Sequence, residues 1–213
     1  MNSAMPIVIA VDGPAASGKG TIARALAEHF GLPHMDTGML YRGVAVSLLR
    51  VGGDPGNEFE AVRAVSGLAQ VGPDDPDLRE EIAGSIASRI SAYPAVRAAL
   101  IDRQREFAAQ PGGAVLDGRD IGSVIAPDAT AKLFVTAAPE VRATRRVAEL
   151  LARGIPAHYE DVLIDIRGRD ERDSGRTSAP LIRADDAELL DTSDLAIDAA
   201  VARAIALVEA RIR

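Results

Sequence analysis

The first strong pattern along the chain is a short apolar run, Ile7 to Asp12 (IVIAVD), rich in β-branched residues and stopped by Gly13-Pro14. It predicts a buried parallel strand. From Thr21 to Phe30 (TIARALAEHF) apolar positions recur at helical spacing and end at Gly31. Strand, glycine loop and helix are the opening of a βαβ fold. Further strands are predicted at Ala114–Asp117 (AVLD), Lys132–Thr136 (KLFVT) and Glu188–Asp191 (ELLD), each followed by a loop and a helical pattern. That alternation predicts an α/β fold, a doubly wound and mostly parallel sheet with helices on both faces. Between the first two of these strands lie helical stretches at roughly 40–51, 58–70, 78–91 and 96–110, separated by Gly, Pro and Asp turns, which read as an insertion beside the sheet. From Tyr159 to Arg183, Arg alternates with Asp and Glu and little could enter a core, so a solvated helix and loop is predicted. There is no internal repeat or low-complexity segment.

Composition narrows the setting. A chain of 213 residues, 47% hydrophobic and 26% charged, suits one globular domain, with room for mobile subdomains. Cysteine is absent, which removes disulfides, thiol nucleophiles and thiolate metal sites and points to a reducing compartment, the cytoplasm. Met1 to Pro6 carries no Lys or Arg, and Ile7 to Val11 is too short for a signal-peptide core or a membrane span. No membrane partner is expected. A net charge of −7 argues against nucleic acid as the main partner. Lysine occurs only at Lys19 and Lys132; the other cationic side chains are arginines, whose planar forks suit phosphate clamps, although codon usage in a GC-rich genome explains many of them.

The chemistry concentrates in Gly13-Pro14-Ala15-Ala16-Ser17-Gly18-Lys19-Gly20-Thr21, which follows a strand and opens a helix, the context of a phosphate-binding loop. Glycines let successive backbone N–H groups turn inward around phosphate oxygens, the helix N-terminus adds positive potential, and Lys19 adds a point charge. The hydroxyl of the common pattern directly follows the lysine; here Gly20 takes that place and Thr21 carries the hydroxyl. ATP or GTP binding follows, against the plainer reading of a ligand-free turn. The loop alone does not separate a kinase from a GTPase or a motor. Asp117 ends a predicted strand, where a carboxylate can hold a Mg²⁺ water, or simply cap a turn. Thr21 and Asp117 are therefore the candidate metal residues. His29, His34 and His158 show no metal spacing and receive no role. For Arg145, Arg146, Arg153, Arg167, Arg169, Arg172 and Arg176, pairing with Glu149, Asp165, Asp170, Glu171 and Asp173 on a helix surface is the plain alternative to phosphate contact.

Several segments carry a family resemblance. The GKGT variant is shared by nucleoside-monophosphate kinases. Asp36-Thr37-Gly38-Met39-Leu40-Tyr41-Arg42, Asp117-Gly118-Arg119-Asp120-Ile121-Gly122, and Arg169-Asp170-Glu171-Arg172-Asp173 with Arg176 and Ala179-Pro180-Leu181 resemble, in family order, the segments of bacterial cytidylate kinases. The resemblance runs from about Val8 to Leu190. It implies a P-loop NTPase-type core at about 5–39, 111–148 and 186–213, a helical monophosphate-binding insertion at about 40–110, and an arginine-rich lid at about 149–185. It implies transfer of the γ-phosphate of ATP to CMP or dCMP with Mg²⁺, by a monomer whose partners are small molecules. Lys19 would bind donor phosphates. Arg42 and Arg119 would bind the acceptor phosphate, beside Asp36, Thr37 and Tyr41 on the acceptor side, and Arg169 and Arg172 would meet the developing charge. Ser88, Arg97 and Asp120 would surround cytosine, with Asp173, Arg169 and Arg176 at the ribose. One departure is that Gly72 to Asp77 (GPDDPD) reads as a mere turn where many relatives carry a longer insert with its own small sheet. The rivals are another small-molecule P-loop kinase, acting on UMP, AMP, shikimate or dephospho-coenzyme A, and a non-catalytic nucleotide-binding protein.

Overall fold

In a computed structural model, residues 6–212 are described; the expectations drawn from Met1–Met5 and from Arg213 lie outside them. Five strands form one sheet: β1 (Ile7–Asp12), β2 (His34–Asp36), β3 (Gly113–Gly118), β4 (Ala131–Thr136) and β5 (Glu188–Asp191), in the order β2-β3-β1-β4-β5. β1 runs parallel to both β3 and β4, with Val11 beside Asp117 and Leu133, and β4 runs parallel to β5. The strand order therefore reverses at β1, and in such sheets ligands gather at the carboxyl ends of the strands beside that switch point. Asp12 and Asp117 sit there.

The helices are α1 (Lys19–Phe30), α2 (Thr37–Arg50), α3 (Glu58–Ala64), α4 (Glu81–Ile90), α5 (Pro94–Ala108), α6 (Pro139–Ala152), α7 (Tyr159–Ser174) and α8 (Ile197–Ile212). The chain divides into two compact units, Asp36–Phe107 and the remainder. In the sheet-bearing unit, Ile9, Val11, Val115, Leu133, Val135 and Leu190 pack with Ile22 and Leu26 of α1 and with Ala204 and Val208 of α8. β3 is buried along its whole length, as a strand covered on both faces must be. Its first residue, Gly113, has φ +102°, and a Cβ there would stand 2.0 Å from the Ile7 carbonyl oxygen, so only glycine lets the two strands meet. The helical unit closes on its own core: Tyr41, Val44 and Leu48 of α2 pack against Ala61, Ile86, Ile90, Val96 and Leu100.

The sheet differs from the sequence expectation by β2, whose three residues are too few to show a period of two. The helix expected over 58–70 ends at Ala64 and continues as a 3₁₀ turn, Val65–Gln70. A second 3₁₀ turn, Pro76–Arg79, follows the expected turn at 72–77. The stretch from Tyr159 is not wholly solvated: Leu163 and Ile166 of α7 are buried against Ala143 of α6, and Asp173 and Leu181 are buried too. Two apolar residues at i and i+3 give α7 a buried stripe, though the charged residues around them hide that pattern in the sequence.

Candidate active site

The phosphate loop follows β1 directly and feeds α1. Gly18, at φ +88°, caps α1 without a side-chain hydrogen bond, and its carbonyl accepts from Thr21 N and Ile22 N. The first N–H groups of the helix are thereby gathered at one end, an arrangement suited to anions. Lys19 Nζ lies 3.5 Å from the Pro14 carbonyl oxygen and is only half-buried, so it can reach a ligand. Ser17 is fully buried, and among the described residues its Oγ has no hydrogen-bond partner. A cavity of about 360 Å³ opens beside the loop, lined by Ser17, Gly18 and Thr21 and by Arg145, Thr192 and Leu195. Arg145 donates to Thr192 Oγ1 (3.0 Å) and to the Thr192 carbonyl (2.6 Å), and Thr192 Oγ1 in turn donates to the Ser17 carbonyl at 3.2 Å.

Asp117 is 2% exposed, and its Oδ1 lies 2.7 Å from His34 Nε2. A Cβ at Gly20 would stand 3.8 Å from Asp117 Oδ2, which puts this carboxylate against the start of α1, one residue from Thr21. Among the described residues no three His, Cys, Asp or Glu side chains cluster as a metal cage. A hydroxyl and one oriented carboxylate nevertheless match the hard oxygen donors of Mg²⁺, which is held by one or two protein oxygens and completed by waters and phosphates.

After Asp117 the chain turns through Arg119 and Asp120 into a single π-helical turn, Ile121–Ile125. Arg119 Nε donates to Asp173 Oδ2 at 2.8 Å, and Arg176 also donates to Asp173. Burial pushes the Asp173 carboxyl up, but Arg119, Arg176 and Arg169 overcome this and hold it below the ordinary carboxylate range. The structure thus brings Arg119, Arg169, Asp173 and Arg176 together. Arg172 is not among them: it is exposed, with its guanidinium folded back over Gly168. Pairing accounts for other arginines of the region, with Arg146 on Glu149 and Arg167 on Glu140.

In the helical unit, Asp36 and Thr37 start α2, and Tyr41 accepts a hydrogen bond from Arg97 Nη1 at 3.3 Å. Arg97 and Ser88 are buried, and among the described residues Ser88 Oγ has no partner. Arg42 donates to the carbonyls of Leu78 (2.9 Å) and Glu80 (3.1 Å), which makes it a tie within this unit as well as a candidate ligand. Its path needs Gly84, where a Cβ would stand 2.5 Å from Arg42 Nη2.

A family profile described as cytidylate kinase matches residues 9–210. The chain belongs to the cytidylate kinase family. The relatives named cytidylate kinase include proteins of Xanthobacter autotrophicus (60% identical, covering 96% of this chain and 98% of its own), Methylobacterium sp. (58%, 96% and 98%) and Azorhizobium caulinodans (57%, 95% and 98%). Two solved structures share the fold alone. One is an uncharacterized protein from Eubacterium ventriosum (TM-score 0.56, 16% identical, covering 95% of this chain and 98% of its own), the other TT1252 from Thermus thermophilus (0.50, 20%, 99% and 100%).

In this member of the cytidylate kinase family, sequence reasoning passed over two side chains that shape the site. His34 orients Asp117; it starts β2, which the sequence did not predict, so no signal in the sequence pointed to it. Asp12 closes β1 and accepts from Ile121 N and Gly122 N, both at 2.8 Å, pinning the turn that follows Asp120. Burial raises the Asp12 carboxyl from its ordinary 3.8 to about 7; the two N–H bonds and Lys19 oppose that rise and Asp120 adds to it. A folded-state pKa above the unfolded one means the folded protein binds the extra proton between pH 3.8 and about 7, so stability falls as pH rises through that window. Asp12→Asn is expected to remove this dependence, gaining on the unmodified protein by about 4 kcal/mol between pH 4 and pH 8. Urea denaturation of both proteins at several pH values checks it, and parallel stability curves would disprove it.

Proposed function

We propose that the chain transfers the γ-phosphoryl group of ATP to CMP or dCMP, giving ADP and CDP or dCDP. The observation that carries this reading is the joining, in a chain of the cytidylate kinase family, of a phosphate loop at a sheet switch point with the pairing of Arg119 and Arg176 on the buried Asp173. An acceptor phosphate oxygen forms a bond to the γ-phosphorus while the bond to the β,γ-bridging oxygen breaks. Because the acceptor phosphate is already ionised near neutral pH, no side chain need act as nucleophile or strong base; positioning and charge stabilisation supply the catalysis.

Lys19 and the backbone N–H groups of residues 13–21, Pro14 having none, hold the donor phosphates, and the cavity beside them takes the donor nucleoside. Thr21 and Asp117 would hold Mg²⁺, which when bound neutralises charge on the β- and γ-phosphate oxygens. Arg119 and Arg42 orient the acceptor phosphate. Arg169 stabilises the charge on the transferring group, and Arg172 joins it if α7 moves on substrate binding. Asp173 and Arg176 meet the ribose; the depressed Asp173 pKa keeps an acceptor available to a sugar hydroxyl. Ser88, Arg97 and Asp120 recognise cytosine, whose amino group donates to a carboxylate or hydroxyl and whose ring nitrogen accepts from a guanidinium.

The deciding test is a coupled assay of Mg·ATP with CMP, dCMP, UMP, AMP, shikimate and dephospho-coenzyme A. CMP and dCMP are expected to be the preferred acceptors. ATP hydrolysis with no transfer to any of them would overturn the kinase reading. A second prediction concerns the base. Uracil presents a carbonyl where cytosine has its amino group, and each mismatched buried group costs about 1–3 kcal/mol. Asp120→Ala is expected to shrink the preference for CMP over UMP by roughly tenfold. An unchanged ratio in a folded variant would show that Asp120 takes no part in choosing the base.

A further inference from the structure

Arg142 belongs to no segment that the family resemblance singles out, yet it is 3% exposed, among the most buried charges in the protein. It lies in the first turn and a half of α6. Its Nε donates to the Ala137 carbonyl (2.8 Å), its Nη1 to the Ala15 carbonyl (3.2 Å) and to Asp170 Oδ1 (3.0 Å), and its Nη2 to Asp170 Oδ2 (2.5 Å). A buried guanidinium is costly unless its donors are met, and here three separate segments meet them: the end of β4, the phosphate loop and α7. Such a fork cannot be replaced by a lysine point charge.

The bond to Ala15 bears on phosphate binding through peptide planarity. The Ala15 carbonyl and the Ala16 N–H belong to one trans peptide and point in opposite directions, so fixing the carbonyl on Arg142 fixes where the N–H is aimed. Ala16 needs that support, because it holds φ +58°, a left-handed conformation that costs a non-glycine residue roughly 1–2 kcal/mol. Its side chain also packs against Ala143, Leu163 and Ile166 of α6 and α7. At the other end of the link, Asp170 adjoins Arg169 and lies one helical turn from Asp173.

We propose that Arg142 is a positioning residue that couples the donor-phosphate loop to α7, so that the aim of the Ala16 N–H and the placement of Arg169 are set together by the Arg142–Asp170 pair, while Asp173 is held separately by Arg119 and Arg176. This rests on the kinase reading, but its central consequence is read by binding alone. Asp170→Asn changes a residue with no place in the phosphate loop, keeps its shape, removes the negative charge and leaves one of the two acceptor oxygens that hold the fork.

The test compares Asp170→Asn, Arg142→Lys and the double variant with the unmodified protein. Calorimetric titrations use the magnesium complex of a non-hydrolysable ATP analogue and, separately, CMP; turnover and thermal stability are measured alongside. Each single variant is expected to weaken the ATP analogue roughly tenfold, the scale of one charge-assisted hydrogen bond. CMP affinity is expected to stay within about twofold, and the double variant to be no worse than the weaker single one, since both changes break one link. Should Arg142→Lys fail to fold, the half-exposed Asp170→Asn still decides. Unchanged analogue affinity in that variant overturns the coupling. So does an equal weakening of both ligands that tracks lost thermal stability, which marks Arg142 as a structural tie alone. If the unmodified protein binds the analogue but makes no CDP, the kinase reading falls and the binding comparison still tests the coupling.

Discussion

Lys19→Met is expected to lower phosphoryl transfer by roughly two to three orders of magnitude or more while leaving the fold intact. The size follows from placement. The ammonium stands at the mouth of a loop whose other contributions are backbone N–H groups, so no second lysine or arginine of residues 13–21 can take over its charge. The fold should survive because Lys19 begins α1 on a half-buried position and its hydrogen bond to the Pro14 carbonyl is a long one, 3.5 Å. A methionine keeps the chain length and the helix propensity. Removing the ammonium also takes away a charge that lowers the Asp12 pKa, so Asp12 in the variant should hold its proton to higher pH. A coupled assay beside a denaturation curve checks both halves. Undiminished turnover would overturn the donor-site assignment, and a protein that no longer unfolds cooperatively would show the lysine to be structural.

Gly13→Ala should be, with Gly113→Ala, among the most damaging single methyls in the described residues. A Cβ at Gly13 would stand 2.0 Å from the Val135 carbonyl oxygen, 3.0 Å from its carbon and 3.3 Å from Ser17 Oγ. The obstacle is the backbone of β4, an interior strand of the sheet, which cannot swing aside as a long side chain can. Relief must come from pushing the phosphate loop away from the sheet, at a cost of about 3 kcal/mol or more, and transfer should fall with it. Gly18 supplies the control. It has φ +88°, but a Cβ there would meet nothing within 4 Å, so Gly18→Ala should cost only the conformational penalty of roughly 1–2 kcal/mol. Denaturant midpoints of the two variants separate steric from conformational strain. A Gly13→Ala protein as stable as Gly18→Ala would mean that β1 and β4 yield more easily than a packed sheet should.

What could be read in the sequence was whatever a short stretch decides by itself. IVIAVD followed by a glycine loop and an amphipathic run specifies strand, loop and helix because β-branched residues, a left-handed turn and a 3.6-residue period are properties of neighbours. β3, β4 and β5 were legible for the same reason, as was the nucleotide loop. Where local signals were weak they failed: β2 has only His34, Met35 and Asp36, and the charges of α7 conceal the buried Leu163 and Ile166. The candidate site divides along the same line. Lys19, Thr21 and Asp117 follow from pattern and position, whereas Asp12, His34 and Arg142 acquire their roles from partners far along the chain, 109 residues away in the bond from Ile121 N and 127 in the bond to Ala15. Tertiary structure alone decided that Asp12 is buried deeply enough to bind a proton near pH 7, that Arg172 stands apart from the Asp173 cluster, and that Gly13 faces the carbonyl of Val135. Burial, desolvation and close approach are set by what the folded chain brings alongside a residue, and that is written in no single segment of it.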